Sequence, residues 1–301
     1  MQESHRSGLL FALAGFCALT IGDSIVKGID QAWAPTAVAA LRYVLGALGL
    51  TALLVWNEGT APLRRIPNPR IQWLRGGAVA MATICFFAGV WLMPLTEAIA
   101  LVFTQPIFTA ILAAAFLGER LRWQTVAATL VAFAGVLIVL RPNLAEIGLA
   151  AVLPLAAAFG MAVLVTANRA VAGRGSSLAM QAYVALFASI FLLAGMVIGH
   201  FSGLAQLRLE WPEWHVPARI AIIAVTASTA HWLIYMGTER AGAATVAPMT
   251  YGQLIAGSLI GYVFFSEVPD LTAMAGAALI IISGLWLWHQ GRTKRGAKLP
   301  S

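Results

Sequence analysis

Ten apolar blocks, each close to the length that crosses hydrocarbon, dominate this chain. Roughly 20 residues of helix span a bilayer core. The blocks cover 8–27, 35–56, 74–95, 97–117, 123–140, 147–168, 178–200, 217–238, 242–265 and 270–289. Inside hydrocarbon each backbone polar group must be paired within the protein, so only helices and closed barrels cross it. The period-2 alternation of a barrel strand is absent. The blocks are therefore read as ten transmembrane helices of an all-α polytopic membrane protein. The sequence is 60% hydrophobic and only 10% charged. A soluble domain carries about 25% charged residues, so this chain has too little charge to coat a water-facing surface.

Prolines and tryptophans mark the same boundaries. Pro35, Pro217 and Pro269 stand at or beside block starts, where a missing N–H costs little. Trp33, Trp56, Trp73, Trp123, Trp286 and Trp288 lie near block ends, as an interfacial aromatic belt requires. The net charge of +7 does not indicate a nucleic-acid partner, because most basic residues lie in short segments between blocks, where they set orientation. Both termini are expected in the cytoplasm. Arg6, the loop cations Arg64 to Arg75, Arg120, Arg122, Arg169, Arg174, Arg240 and the 290–301 basic tail then lie inside. Lys27, Arg141, Arg208 and Arg219 lie outside. The first block runs into Asp23 and Lys27 without a small-residue cleavage site and is read as a retained span. Cys17 and Cys85 fall inside blocks, so no disulfide framework is implied.

The half-molecule repeats itself. Gln105 stands fourteen residues before Glu119 in QPIFTAILAAAFLGE, and Gln253 fourteen before Glu267 in QLIAGSLIGYVFFSE. An apolar block follows each. The chain is divided accordingly into 8–140 and 147–289. Five is an odd number of crossings, so the second copy enters the membrane inverted. Two inverted repeats can expose one central site to either face in turn, a device of secondary transporters.

These segments also carry a family resemblance. Pro94-Leu-Thr-Glu-Ala-Ile-Ala with TQPIFTAILAAAFLGERL, and GAATVAPMTYGQLIAGSLIGYVFFSE, resemble the two EamA-type repeats of the drug/metabolite transporter superfamily. Asp23 to Lys27 and Leu41-Arg-Tyr43 are similar to it as well. The second copy departs by carrying Ser266 before Glu267, and Leu254 where the first has Pro106. The resemblance implies two inverted five-helix halves, a central cavity and alternating access. It implies no single substrate: members handle amino acids, nucleotide-like cofactors, vitamins, polyamines and toxic compounds.

Ionisable groups in hydrocarbon are costly, and each is a functional hypothesis. Asp23 and Lys27, at i and i+4, share one helix face and are an outer-side gate or a coupling carboxylate, or else a plain ion pair near the end of the span. Arg42 is a candidate for an anionic group or for pairing with Asp23. His231 lies mid-span with Trp232 beside it and Tyr235 one turn on, so His231 and Tyr235 face one way. Gln105 and Gln253 occupy matching places, with Tyr251 nearby on another face. Trp91 is a further candidate for an aromatic cavity wall, with Thr20, Thr83, Thr104 and Ser228 weaker candidate contacts. Glu97 joins Asp23 and His231 as a candidate for proton coupling. Pro94, Pro106, Pro154 and Pro248 are expected to kink their spans. Gly257 and Gly261, opposite Thr109 and Ala113 of the first copy, predict that spans four and nine pack together.

No GxxxxGK[ST] loop, HExxH or clustered Cys/His pattern occurs, so neither a nucleotide-hydrolysing P-loop nor a metal or other cofactor is expected. The expected function is secondary-active transport of a small metabolite across a bacterial-type inner membrane, by a monomer or homodimer. A membrane-embedded enzyme or lipid-handling protein is the alternative.

Overall fold

The computed structural model describes residues 2–27, 33–92, 98, 101–119, 123–140, 148–265 and 271–293. Ten long helices lie among them: α1 (Gln2–Lys27), α2 (Pro35–Glu58), α3 (Pro69–Leu92), α4 (Gln105–Leu117), α5 (Trp123–Leu140), α6 (Val152–Ala170), α7 (Ser177–Phe201), α8 (His215–Ala241), α9 (Gly252–Phe265) and α10 (Leu271–Thr293). Pro35 opens α2 and Pro106 lies in the first turn of α4. The Ser176 hydroxyl accepts from the Ala179 N–H and caps α7. Gly118 ends α4 in the left-handed region, at φ 65°, which a side chain would strain.

Five stretches among the described residues are both long and apolar enough to cross a bilayer: Pro35–Glu58, Pro69–Gly89, Gly148–Ala170, Ser177–Phe201 and His215–Ala241. Shorter apolar runs fill Arg6–Gly22, Gln105–Leu117, Trp123–Ile138 and Met274–Ser283. Leu48, Phe116, Leu130, Ile198, Val225 and Leu285 point outward and are exposed. In water such a surface would aggregate; in lipid it is solvated.

The packing repeats when five is added to each helix number. α1 lies along α8, and α6 along α3. α4 meets α6 as α9 meets α1, and α2 and α5 pair with their own counterparts, α7 and α10. The main interfaces therefore join one repeat to the other. Lipid is as apolar as the helix surfaces, so close packing and interhelical polar bonds drive association here. Ala37, Ala39, Ala40, Ala47, Ala158 and Ala162, all buried, let the backbones approach.

Four expectations need correction. The fourth span is not one helix over 97–117: the chain turns at 103–104 and α4 begins at Gln105. The ninth is likewise broken, into a turn of helix Ala243–Val246, a 3-10 stretch Ala247–Tyr251 and then α9. Pro106 and Pro154 fall in the first turns of α4 and α6, where a missing N–H breaks no helical bond, rather than kinking a span from within; Pro248 falls in the break of the ninth span, and Pro94 lies outside the described residues. The main partners of α4 and α9 are not each other. A Cβ on Gly257 would lie 3.6 Å from the Thr20 methyl of α1, and α4 meets the 247–251 stretch instead. Thr109 and Ala113 are buried, the Thr109 hydroxyl bonding to its own helix at the Gln105 carbonyl. The surroundings of Gly261 lie outside what is described. Fourth, Arg75 is no loop cation: α3 starts six residues before it, and the guanidinium is buried within the bundle.

Candidate functional site

A cavity opens where α2 of the first repeat meets α7 and α8 of the second. Arg42, Tyr43, Gly46 and Leu50 line it from α2, Gln181, Val184 and Ala185 from α7, and Ala224, Ala227, Ser228 and His231 from α8. Small residues on all three helices leave the space. The volume open to the centre of a water molecule is about 20 Å³, little more than the roughly 10–15 Å³ one water needs. The wall is polar at several points. The Arg42 guanidinium stacks over the Tyr43 ring at 5.1 Å and makes no ion pair with a described carboxylate. The Tyr43 hydroxyl is buried with no hydrogen-bond partner. Cation, imidazole, amide and hydroxyls thus converge on one space among apolar neighbours, the usual make-up of a small-molecule site.

A second polar centre lies where the two helix breaks meet. The Thr250 hydroxyl donates to Gln105 Oε1 at 3.0 Å. Phe103 packs on Tyr251 with ring centroids 5.9 Å apart. Gln105 Nε2 and the Tyr251 hydroxyl are buried and unpartnered. On the α1 side, the Thr20 hydroxyl lies 3.4 Å from both the Phe16 and Gln253 carbonyls. Broken helices facing one another across a repeat interface are a recurring place for substrates and ions in carriers. Thr250→Val is expected to cost about 1–3 kcal/mol, because it strands the Gln105 carbonyl oxygen in a dry site. Adding Gln105→Leu should recover most of that loss. Thermal unfolding of the two single variants and the double variant checks this coupling.

The expected site residues divide as follows. His231 and Arg42 share the cavity. Tyr235, one turn past His231, is fully buried and packs against Arg75 instead. Trp232 turns away from the cavity and donates its indole N–H to Ser177 Oγ at 3.0 Å. Gln105 and Tyr251 meet at the helix breaks, where Gln253 offers its backbone carbonyl. Asp23, Lys27 and Trp91 belong to helices, but their side chains lie outside what is described, and Glu97 lies outside entirely.

Sequence reading missed three buried amides: Gln181 on the cavity wall, and Gln72 and Asn168, which both bond to Arg75. Gln181 lies inside an apolar block, Asn168 at the end of one and Gln72 two residues before one; the Gln72–Arg75 spacing of three puts both on one helix face. It also left Glu119 without its partners. The Glu119 carboxylate accepts from the N–H groups of Ala243 and Ala244 at 3.2 and 3.1 Å. It lies 3.5 Å from Arg169 Nε. The end of α4 is thereby tied to the break after α8. Glu119→Ala should lower stability by about 1–3 kcal/mol, since two amides lose their acceptor. Glu119→Gln, which keeps an oxygen there, should retain most of it in a thermal melt.

Crossing helices, an apolar outer surface and a polar pocket between two repeats define a polytopic helical membrane protein with a small-molecule site. The sequence profile of the EamA-like transporter family matches residues 6–141 and again 148–288. The chain belongs to that family, and is a transporter rather than an enzyme. Three relatives align over nearly full length. It is 23% identical to the S-adenosylmethionine uptake transporter of Rickettsia prowazekii, over 99% of this chain and 98% of that protein. It is 27% identical to the pseudopaline exporter of Pseudomonas aeruginosa, over 97% and 98%. It is 25% identical to the riboflavin transporter of Vibrio cholerae, over 98% of each. A solved crystal structure superposes with a TM-score of 0.80 at 19% identity, covering 96% of this chain and 99% of that one; that likeness concerns the fold.

Proposed function

We propose that this chain is a secondary-active carrier of a small metabolite, an amino acid, vitamin or nucleotide-like cofactor, working by alternating access. The observation that carries the reading is the polar cavity between α2 of one repeat and α7 and α8 of the other. A site between two halves changes its exposure when the halves rock, and inverted halves make the two exposures related. The cavity as it stands admits a water or two, not a metabolite, so the solute enters by opening of the bundle. Relatives that take up S-adenosylmethionine or move riboflavin support the size class.

In this reading Arg42, Tyr43, Gln181, Ser228 and His231 receive the solute. The 8–140 and 147–289 halves are the rocking units. Both termini, with the 290–301 tail, face the cytoplasm of a bacterial-type inner membrane. Coupling to protons through Asp23, Glu97 or His231 supplies the energy. Counterflow in proteoliposomes loaded with amino acids, riboflavin or S-adenosylmethionine tests the proposal. Saturable exchange of at least one unaltered solute is expected, faster under a pH gradient. Equal initial rates with and without the gradient would remove proton coupling. Non-saturating leakage would remove the carrier itself. Labelling of single cysteines placed in loops 59–68 and 171–175 checks orientation; both should react only from the cytoplasmic face.

A further inference from the structure

Arg75 of α3 is fully buried, yet it is not matched by a carboxylate among the described residues. Its contacts are neutral. Nε donates to Asn168 Oδ1 at 2.9 Å on α6. Nη1 donates to Gln72 Oε1 at 2.6 Å and to the Met180 carbonyl at 3.0 Å on α7. The guanidinium lies over the Tyr235 ring of α8, 5.4 Å from its centroid. Nη2 and the Tyr235 hydroxyl are both buried and both without a partner. Taking a cation out of water without a counter-charge is expensive, and two idle donors beside it add to that cost. A bound anion would relieve both at once.

The place is next to the cavity. Tyr235 follows His231 by one helical turn on α8. Met180, whose carbonyl holds Arg75, precedes the cavity residue Gln181. Four helices from both repeats converge on the guanidinium, so rocking of the halves must open or close access to it.

We propose that Arg75 Nη2 and the Tyr235 hydroxyl form a second seat, one turn beyond the cavity, for a carboxylate group of the carried solute. Arg42 meets the solute in the cavity; Arg75 receives its anionic end as the bundle opens on that side. The planar guanidinium suits a carboxylate, with Nη2 and the phenol as two donors to one group. The role in transport rests on the carrier reading, but the seat can be tested without transport.

The test uses full-length protein in detergent, with acetate as the probe, acetamide as its neutral counterpart, and chloride at equal ionic strength as the reference. Acetate at about ten times its Kd should raise the melting temperature by a few degrees. Acetamide should not. Arg75→Gln should abolish the shift, Tyr235→Phe should weaken acetate binding severalfold, and Arg42→Gln should leave most of it. Arg75→Lys, which keeps the charge, serves if the glutamine variant does not fold, and should bind acetate at least fivefold more weakly. No acetate effect in the unmodified protein, or an equal effect after the Arg75 substitutions, overturns the proposal. In counterflow, a carried solute whose rate is unchanged by Arg75→Lys and Tyr235→Phe would sink the seat and leave the carrier standing. Acetate binding without counterflow of any solute would do the reverse.

Discussion

Arg42→Gln should slow entry of the carried solute by roughly 30-fold or more in proteoliposomes. Loss of a partly desolvated charged contact costs about 2–5 kcal/mol, and each 1.4 kcal/mol is about tenfold. Arg42 holds no described carboxylate whose loss of a partner would unfold the bundle, and its stacking on Tyr43 is local. The melting temperature should therefore stay within about 2 °C of the unmodified protein, because a change facing open space that strands no partner stays near about 0.5 kcal/mol. His231→Leu, on the same wall, should show the same pattern of slow flux and retained fold. A flux loss that tracked a fall in melting temperature would make the two residues structural. Unchanged flux in both variants would move the solute elsewhere, with the Gln105–Thr250 centre the next place to look.

Gly237→Leu should have the largest effect on stability. α1 and α8 form the most extensive contact in the bundle, and they meet backbone to backbone. A Cβ on Gly237 would lie 2.7 Å from the Gly8 carbonyl oxygen and 2.8 Å from the Ala12 Cβ. Backbone atoms cannot swing aside as a side chain does, so the helices must separate along their length. Overpacking of this kind costs about 3 kcal/mol or more. The apparent melting temperature should fall by roughly 6–12 °C, at 2–4 °C per kcal/mol. Gly237→Ala should already show part of the loss. A melting temperature unchanged in the leucine variant would mean that α1 and α8 do not touch along this line in the membrane.

The two predictions separate two kinds of intramembrane residue. Arg42 and His231 border a space and can be changed without disturbing a packed surface. Gly237 closes a contact and cannot. Arg75 belongs to neither kind: it joins α3 to α6, α7 and α8 and is also the proposed carboxylate seat. Its test therefore needs both a binding readout and a conservative variant.

Much of the fold is legible in the sequence. The ten blocks, the odd-numbered repeat and the Gln105/Gln253 correspondence are properties of hydropathy and spacing, and hydrocarbon leaves an apolar 20-residue block little choice but helix. His231 and Arg42 were legible for the same reason, because an ionisable group in such a block stands out. Partners were not legible. A position number does not tell that Trp232 turns to Ser177, that Glu119 caps a turn 124 residues on, or that α9 packs on α1 rather than on α4. Nor does the hydropathy of 97–117 and 242–265 reveal their breaks, since a buried turn is as apolar as the helix it interrupts. Sequence alone determined that this chain crosses a membrane as two related halves. Only the tertiary structure decided which polar groups share a space, because that depends on the rotation and closeness of helices far apart in the chain.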